Sequence, residues 1–402
     1  MAFDFEKALR RRIEQHAELV ELKNRRVRDT SGVVERWKNP ALTAAHTPLF
    51  WRYDLDQKRN PYLLERLGVH AIGGAGAVER AGRVCLVARV EGKDRKSFFA
   101  VAESDNGVDN FRFWDHPLQL PEPDAADATV GDMRLTAHED GWIYGVFELE
   151  RQDKGAPPGD TTRAQSRVGI VRTRDLVQWQ RLADLRSHTV GPLGAVLHPR
   201  LVRGQYAFYL RTQAAFTEAG ASGIGFAPCE NVEQAELGEP VVVDARAHQT
   251  MKEARNAAAA PPLRTEKGWL HIAQGTRTTA AGLRSVLYAF LCDLEDPTRV
   301  VAAPAGYLLA AEGEEQGGDV ASGLACAGAV ARATGDVLLY YAASETRLNV
   351  ATTTVARLLD YVTHTPSDAG STHASVARRT ALVERNLKLL ARTKGKAYRG
   401  LR

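Results

Sequence analysis

Cysteine is scarce in this 402-residue chain, and the four present (Cys85, Cys229, Cys292 and Cys326) are far apart. None forms a CxxC pair or has histidines at zinc-finger spacing, which excludes a disulfide framework and a structural zinc site. No apolar run approaches the roughly 18 residues of a membrane span, and Met1 to Glu6 carry no apolar signal core. A cytoplasmic protein with no membrane partner is expected. Charge of one sign is missing too: 53 Lys+Arg against 49 Asp+Glu leave +4. Both signs are interspersed, so no electrostatic footprint for nucleic acid exists. Walker A, HExxH and GxSxG sequences are absent. Gly73-Gly74-Ala75-Gly76 lacks dinucleotide-binding spacing and a following helix, and reads as a loop. No metal site and no cofactor are expected.

What is present, at 44% hydrophobic and 25% charged residues, is ordinary globular composition. The two ends read as helices. Over residues 3–26, Leu9, Ile13, His16, Ala17 and Val20 recur at helical spacing, and over 374–392 Val376, Leu382, Leu387 and Leu390 do the same. Each helix is expected to pack on its own domain, the alternative being a homo-oligomer contact through the terminal helices. Between them the chain turns to short β-like runs. Five open on a glycine, at Gly82, Gly141, Gly204, Gly268 and Gly335, spaced 59 to 67 residues apart. A second run follows each, at 98–102, 167–171, 223–227, 286–291 and 349–352.

Strand pairs cannot bury both faces alone, so a near-regular repeat implies neighbours stacked into a shared core. The expected fold is all-β: a five-bladed β-propeller with flanking N- and C-terminal α-helices. The boundaries are 1–30 for the first helix, 31–365 for the propeller, and 366–402 for the last helix and tail. Function is then expected in the loops at the mouth of the central channel. Asp132, just before the second repeat, would face that mouth, with Arg89, Arg95, Arg167 and Arg211 on neighbouring blades. A carboxylate and guanidinium forks in a polar funnel suit a sugar or phosphate ligand.

Several runs go further. They include Asn39-Pro40-Ala41-Leu42-Thr43, Trp51-Arg52-Tyr53-Asp54-Leu55, Asp94-Arg95-Lys96-Ser97-Phe98-Phe99 and Asp132-Met133-Arg134-Leu135-Thr136-Ala137-His138-Glu139-Asp140-Gly141-Trp142. With Gly268-Trp269-Leu270-His271-Ile272-Ala273 and Asp296-Pro297-Thr298-Arg299, they resemble glycoside hydrolase family 130, between residues 36 and 365. The resemblance implies a five-bladed propeller and inverting phosphorolysis of a terminal β-1,4-mannosyl-glucose linkage, giving α-mannose 1-phosphate and glucose. Inorganic phosphate would be the co-substrate, and a single catalytic carboxylate suffices because phosphate replaces the activated water of an inverting hydrolase. Asp132 matches the family acid, thought to act through the mannose 3-hydroxyl. Arg89 matches a mannose-site arginine and Arg95 one nearer glucose. Arg255 and Glu345 fall at substrate-binding positions, and Arg167 and Arg211 match arginines on the phosphate side.

Departures from the family pattern cluster in the pocket. Gly74-Ala75 replaces Asn-Ser, Gly131 an aromatic, and Leu193-Gly194 an Arg-Asn pair. Gln274 and Asn349 replace histidines, Arg255 a lysine, and Glu345 an aspartate; Ala257 to Ala260 replace glycines and prolines. Because a hydrogen bond to a charged group contributes roughly 1.5–3 kcal/mol, the loss at 193 and 274 implies weak phosphate binding. The alternatives are a pseudoenzyme keeping the propeller for carbohydrate binding or interaction and, ranked last, an inverting β-mannoside hydrolase. The hydrolase needs a second carboxylate roughly 6.5–9.5 Å from the acid, for which Asp319 and Glu345 are the candidates.

Overall fold

Each of the five repeated glycines has a positive φ: +78° at Gly82, +85° at Gly141, +80° at Gly204, +149° at Gly268 and +86° at Gly335. Side chains with a Cβ rarely adopt that conformation, so glycine marks the turn into the second strand of every repeat. In the computed structural model those strands are Arg83–Gly92, Ile143–Gln152, Tyr206–Thr212, Gly268–Thr279 and Asp336–Ala343. Each is flanked by antiparallel neighbours on both sides, giving five separate sheets. The structure describes residues 3–27, 31–121, 129–153, 155–157, 160, 163–188, 193–212 and 222–392.

The sheets are the blades of a five-bladed propeller. Blade I runs from Val69–Arg80 outward to Arg112–Phe113, and blade II from Thr129–Ala137 to Trp179–Arg181. The inner strands of blades III, IV and V are Val196–Leu197, Arg255–Ala258 and Leu324–Ala331. Each blade therefore holds more than the strand pair read from the repeat, because an inner strand precedes each glycine turn and short strands complete the outer edge.

Blade faces alternate with period two, so successive side chains enter different interfaces. In blade V, Val337, Leu339 and Tyr341 pack against blade IV, whereas Leu338 and Tyr340 pack against blade I. Five such apolar clusters lie between neighbouring blades and close the ring.

Three expectations need correction. The stretch Gly73 to Gly76 is not a loop; it lies inside the inner strand Val69–Arg80. The N-terminal helix is Phe5–Glu21, not 3–26, because Arg26–Val27 and Glu35–Trp37 add to the outer edge of blade V, the latter pairing with Arg347–Thr354. Arg26–Val27, inside the 1–30 segment, thus belongs to the propeller's own sheet. The C-terminal helix, Thr372–Arg392, does not pack on its domain: from Thr372 to Ala391 only Ala374 is half-buried and the rest are exposed. A further helix, Val355–His364, follows blade V and buries Leu358, Leu359 and Val362, while Phe5 and Val20 anchor the first helix. No helix among the described residues is long and apolar enough to cross a membrane.

Candidate active site

Two facing irregularities in the inner strands build the centre of the channel. The register of blade I shifts between Ile72 and Ala75, and that of blade II between Val130 and Met133. Such bulges bend a strand and re-aim its side chains. Here they bring the backbone of Gly74 to Asp132. The Gly74 N–H donates to Asp132 Oδ1 at 2.9 Å, and Arg89 Nε donates to the same oxygen at 2.7 Å. A Cβ on Gly74 would lie 2.6 Å from Asp132 Cγ, and one on Gly73 would lie 2.6 Å from Arg89 Cζ. The two glycines are the clearance into which the ion pair fits.

The other end of Arg89 reaches blade V, donating to Glu345 Oε2. Burial works against the charge on Arg89, but the Asp132 and Glu345 carboxylates outweigh it and push its pKa up. Burial and the nearby Asp132 charge push the Glu345 pKa up, against the pull of Arg89. Glu345 occupies a turn at φ +59°, beside Ser344 at +51°, a conformation that costs energy without glycine. The Ser344 hydroxyl, donating to the Glu315 carbonyl at 2.6 Å, pins that turn.

From Arg89 a chain of charges leads outward. Glu91 Oε2 lies 3.5 Å from Arg89 Nη1, and its other oxygen lies 2.5 Å from Arg95 Nη1. Arg95 also approaches Asp319 at 3.5 Å, and His70 Nε2 is 2.8 Å from the same carboxylate oxygen. The hydrogen bond with His70, with Arg95 adding, holds the Asp319 pKa below its ordinary value despite some burial. His70, Glu91 and Asp319 form the one metal-capable group among the described residues, but the Arg95 guanidinium already supplies the positive charge at their centre. The rim is polar.

A second group of guanidiniums lies on blades II, III and IV. Arg134, two residues along the strand from Asp132, donates from Nε to the Ala259 carbonyl at 3.2 Å. Arg211 follows on the second strand of blade III and Arg255 on the inner strand of blade IV. Burial lowers the Arg211 pKa; the charge of Glu148 opposes this, while Arg255 and Arg134 add to it. Glu148 itself accepts the Gly194 N–H at 2.8 Å.

The structure thus brings Asp132, Arg89, Arg95 and Glu345 into one network, and Arg211 and Arg255 into another. It does not bring Arg167 to either. Its partners are Asp184 at 3.5 Å and Gln165 at 3.3 Å, on the third strand of blade II, away from the axis. Asp319 and Glu345 are both committed to cationic partners. Sequence reading missed Arg134, Glu148, His70 and Glu91 as site residues. Arg134 and Glu91 are accessible from the i, i+2 spacing to Asp132 and Arg89 on their strands; His70 and Glu148 depend on which blades meet.

The family model for glycoside hydrolase family 130, described as beta-1,4-mannooligosaccharide phosphorylase, matches residues 160–364. A 4-O-beta-D-mannosyl-D-glucose phosphorylase from Bacteroides fragilis is 50% identical over 376 residues, covering 93% of this chain and 96% of that one. A beta-1,4-mannooligosaccharide phosphorylase from Ruminococcus albus is 31% identical over 42% of this chain and 49% of its own. Among solved structures, a beta-1,2-mannobiose phosphorylase from Listeria innocua in complex with its substrate superposes with a TM-score of 0.65. It is 16% identical, covering 85% of this chain and 99% of that one, a likeness of fold.

Proposed function

The chain belongs to glycoside hydrolase family 130, and from that premise we propose that it catalyses inverting phosphorolysis of a terminal β-1,4-mannosyl-glucose linkage, yielding α-mannose 1-phosphate and glucose. The observation that carries the reading is a seated acid together with a group of guanidiniums. A single acid, Asp132, is held by Arg89 and a backbone N–H. Arg134 and Arg255 lie near enough to Arg211 to act on its charge. An inverting reaction needs acid and nucleophile on opposite faces of the sugar, and three guanidiniums suit an oxyanion nucleophile.

In this reading Asp132 supplies the proton that the departing glucose oxygen takes up. Arg89 and Glu345 bind mannose and Arg95 borders the glucose side. Phosphate, held by the arginine cluster, attacks the anomeric carbon with inversion. Phosphate is a co-substrate, and the step calls on no other group. Arg134 also bears on the weak phosphate binding implied by Leu193 and Gln274: it adds a guanidinium beside Arg211 and Arg255.

The pseudoenzyme alternative is disfavoured by the intact seat of Asp132 and by 50% identity to a mannosyl-glucose phosphorylase over nearly the whole chain. The test is incubation with mannosyl-glucose and phosphate, and separately with α-mannose 1-phosphate and glucose. Phosphate-dependent release of α-mannose 1-phosphate and disaccharide synthesis in reverse are expected. Phosphate-independent release of mannose would show a hydrolase, and no turnover in either direction would show a pseudoenzyme.

A further inference from the structure

Glu148 is the residue that an oxyanion site does not obviously want. It lies on the second strand of blade II, where its Cβ comes within 3.3 Å of a Cβ built on Gly131, the neighbour of Asp132. Its Oε1 is fixed by the Gly194 N–H at 2.8 Å. Gly194 in turn sits between Arg211 and Ala257, whose Cβ atoms are each 3.7 Å from a Cβ built on it. Glu148 therefore stands at the arginine cluster, near enough for Arg211 to feel its charge. Yet among the described residues no ion pair within 4.0 Å ties it to Arg134, Arg211 or Arg255. The backbone holds this carboxylate in place, so it is not simply spent on neutralising a guanidinium.

An ionised carboxylate only accepts hydrogen bonds, and a guanidinium only donates them. An anion entering this site must satisfy both. Hydrogen phosphate can: its bare oxygens accept from the arginines and its single P–OH donates to Glu148. Sulfate at neutral pH has the same shape and charge but no proton, and would set a bare oxygen against the carboxylate. Resting on the phosphorylase reading above, we propose that Glu148 is a specificity-determining residue of the nucleophile site. Its Oε2 accepts a hydrogen bond from the phosphate P–OH and so admits hydrogen phosphate while rejecting fully deprotonated oxyanions.

Initial rates of mannosyl-glucose phosphorolysis at varied phosphate, with sulfate as competitor, test this in the wild type, Glu148→Gln and Glu148→Asp. The glutamine keeps an acceptor for the Gly194 N–H but presents an N–H group to the anion. Wild type should be inhibited weakly by sulfate. Glu148→Gln should raise the phosphate KM by about 10- to 100-fold, leave kcat within a few-fold, and bind sulfate more tightly than phosphate. Glu148→Asp should restore the preference for phosphate in part. A purely structural role would not invert the anion preference. Unchanged phosphate KM and sulfate exclusion in Glu148→Gln would overturn the proposal, as would a fall in kcat at unchanged KM. If wild type neither turns over nor takes up phosphate in a calorimetric titration, the phosphorylase reading itself fails. A wild type that turns over beside an indistinguishable Glu148→Gln sinks only this inference.

Discussion

Asp132 shows how much one carboxylate depends on what is not there. Its Oδ1 takes two donors, and the space for that arrangement exists because Gly73 and Gly74 carry no side chains. Asp132→Asn keeps the Oδ1 acceptor for the Gly74 N–H and Arg89 while removing the acid. It should lower turnover by around 10²–10⁴-fold with little change in melting temperature. Gly74→Ala should be as damaging by another route. Its Cβ would lie 2.6 Å from Asp132 Cγ, so the carboxylate must move, and displacement by an ångström costs about 100-fold in rate. Comparing kcat and thermal melting for the two variants checks both; a fully active Gly74→Ala would mean that the bulge can relax. At this scale the sequence was partly legible. The structure joins Asp132 to Arg89 and sets Arg211 near Glu148, Arg134 and Arg255. Arg167 meets neither group, because distance from the axis depends on strand order within a blade. Its strand is two places out from the inner one, at about 4.8 Å per strand.

Among elements, the closure of the ring links stability to the site. Glu35–Trp37 brings Arg36 across blade V, where its guanidinium donates to Glu315 Oε2 at 2.6 Å, the Ala310 carbonyl at 2.6 Å and the Tyr341 hydroxyl at 3.3 Å. Burial opposes charge on Arg36, but Tyr341, Glu315 and Glu312 outweigh it and raise its pKa. The carbonyl of the same Glu315 accepts from Ser344, next to Glu345. Arg36→Met should destabilise the fold by on the order of 3 kcal/mol, because Glu315 is left without its cation in a largely buried place. It should also raise the KM for mannosyl-glucose through the loosened Glu345 turn. Denaturant melts and initial rates test the pair of effects, and an unchanged midpoint would show that the closure does not rest on this cluster. The glycine turns were readable because positive φ leaves few residue choices. The inner strands were not: Val196–Leu197 is two residues long, and Val69–Arg80 is glycine-rich and bulged, against strand propensity. Pairing with the second strand of their own blade holds them, and no local pattern records that.

For the whole molecule, five interfaces in place of one centre make every blade boundary a site of stability, and the III/IV boundary buries titratable histidines. The count of five was legible because the repeat is nearly even, whereas the exposed C-terminal helix shows that amphipathic spacing does not say what a helix will touch. His271, at the III/IV boundary, stacks parallel on Phe290 with centroids 4.5 Å apart and meets Tyr209 edge-on at 4.5 Å. Among the described residues neither ring nitrogen has a hydrogen-bond partner. Burial, with nearby His198 adding, pushes the His271 pKa down to about 3, and burial pushes that of His198 down to about 4. As pH falls through 6.5 the unfolded chain protonates these rings while the folded chain keeps them neutral. The unfolded state then binds more protons, so stability present above pH 6.5 is lost progressively toward pH 4, by on the order of 3 kcal/mol per histidine. His271→Phe should keep the stacking, remove two unsatisfied nitrogens and delete one proton site. Its melting temperature should exceed that of wild type at pH 7, by an amount that grows as the pH is lowered to 4. Parallel melting curves across that range would place the acid sensitivity in other groups.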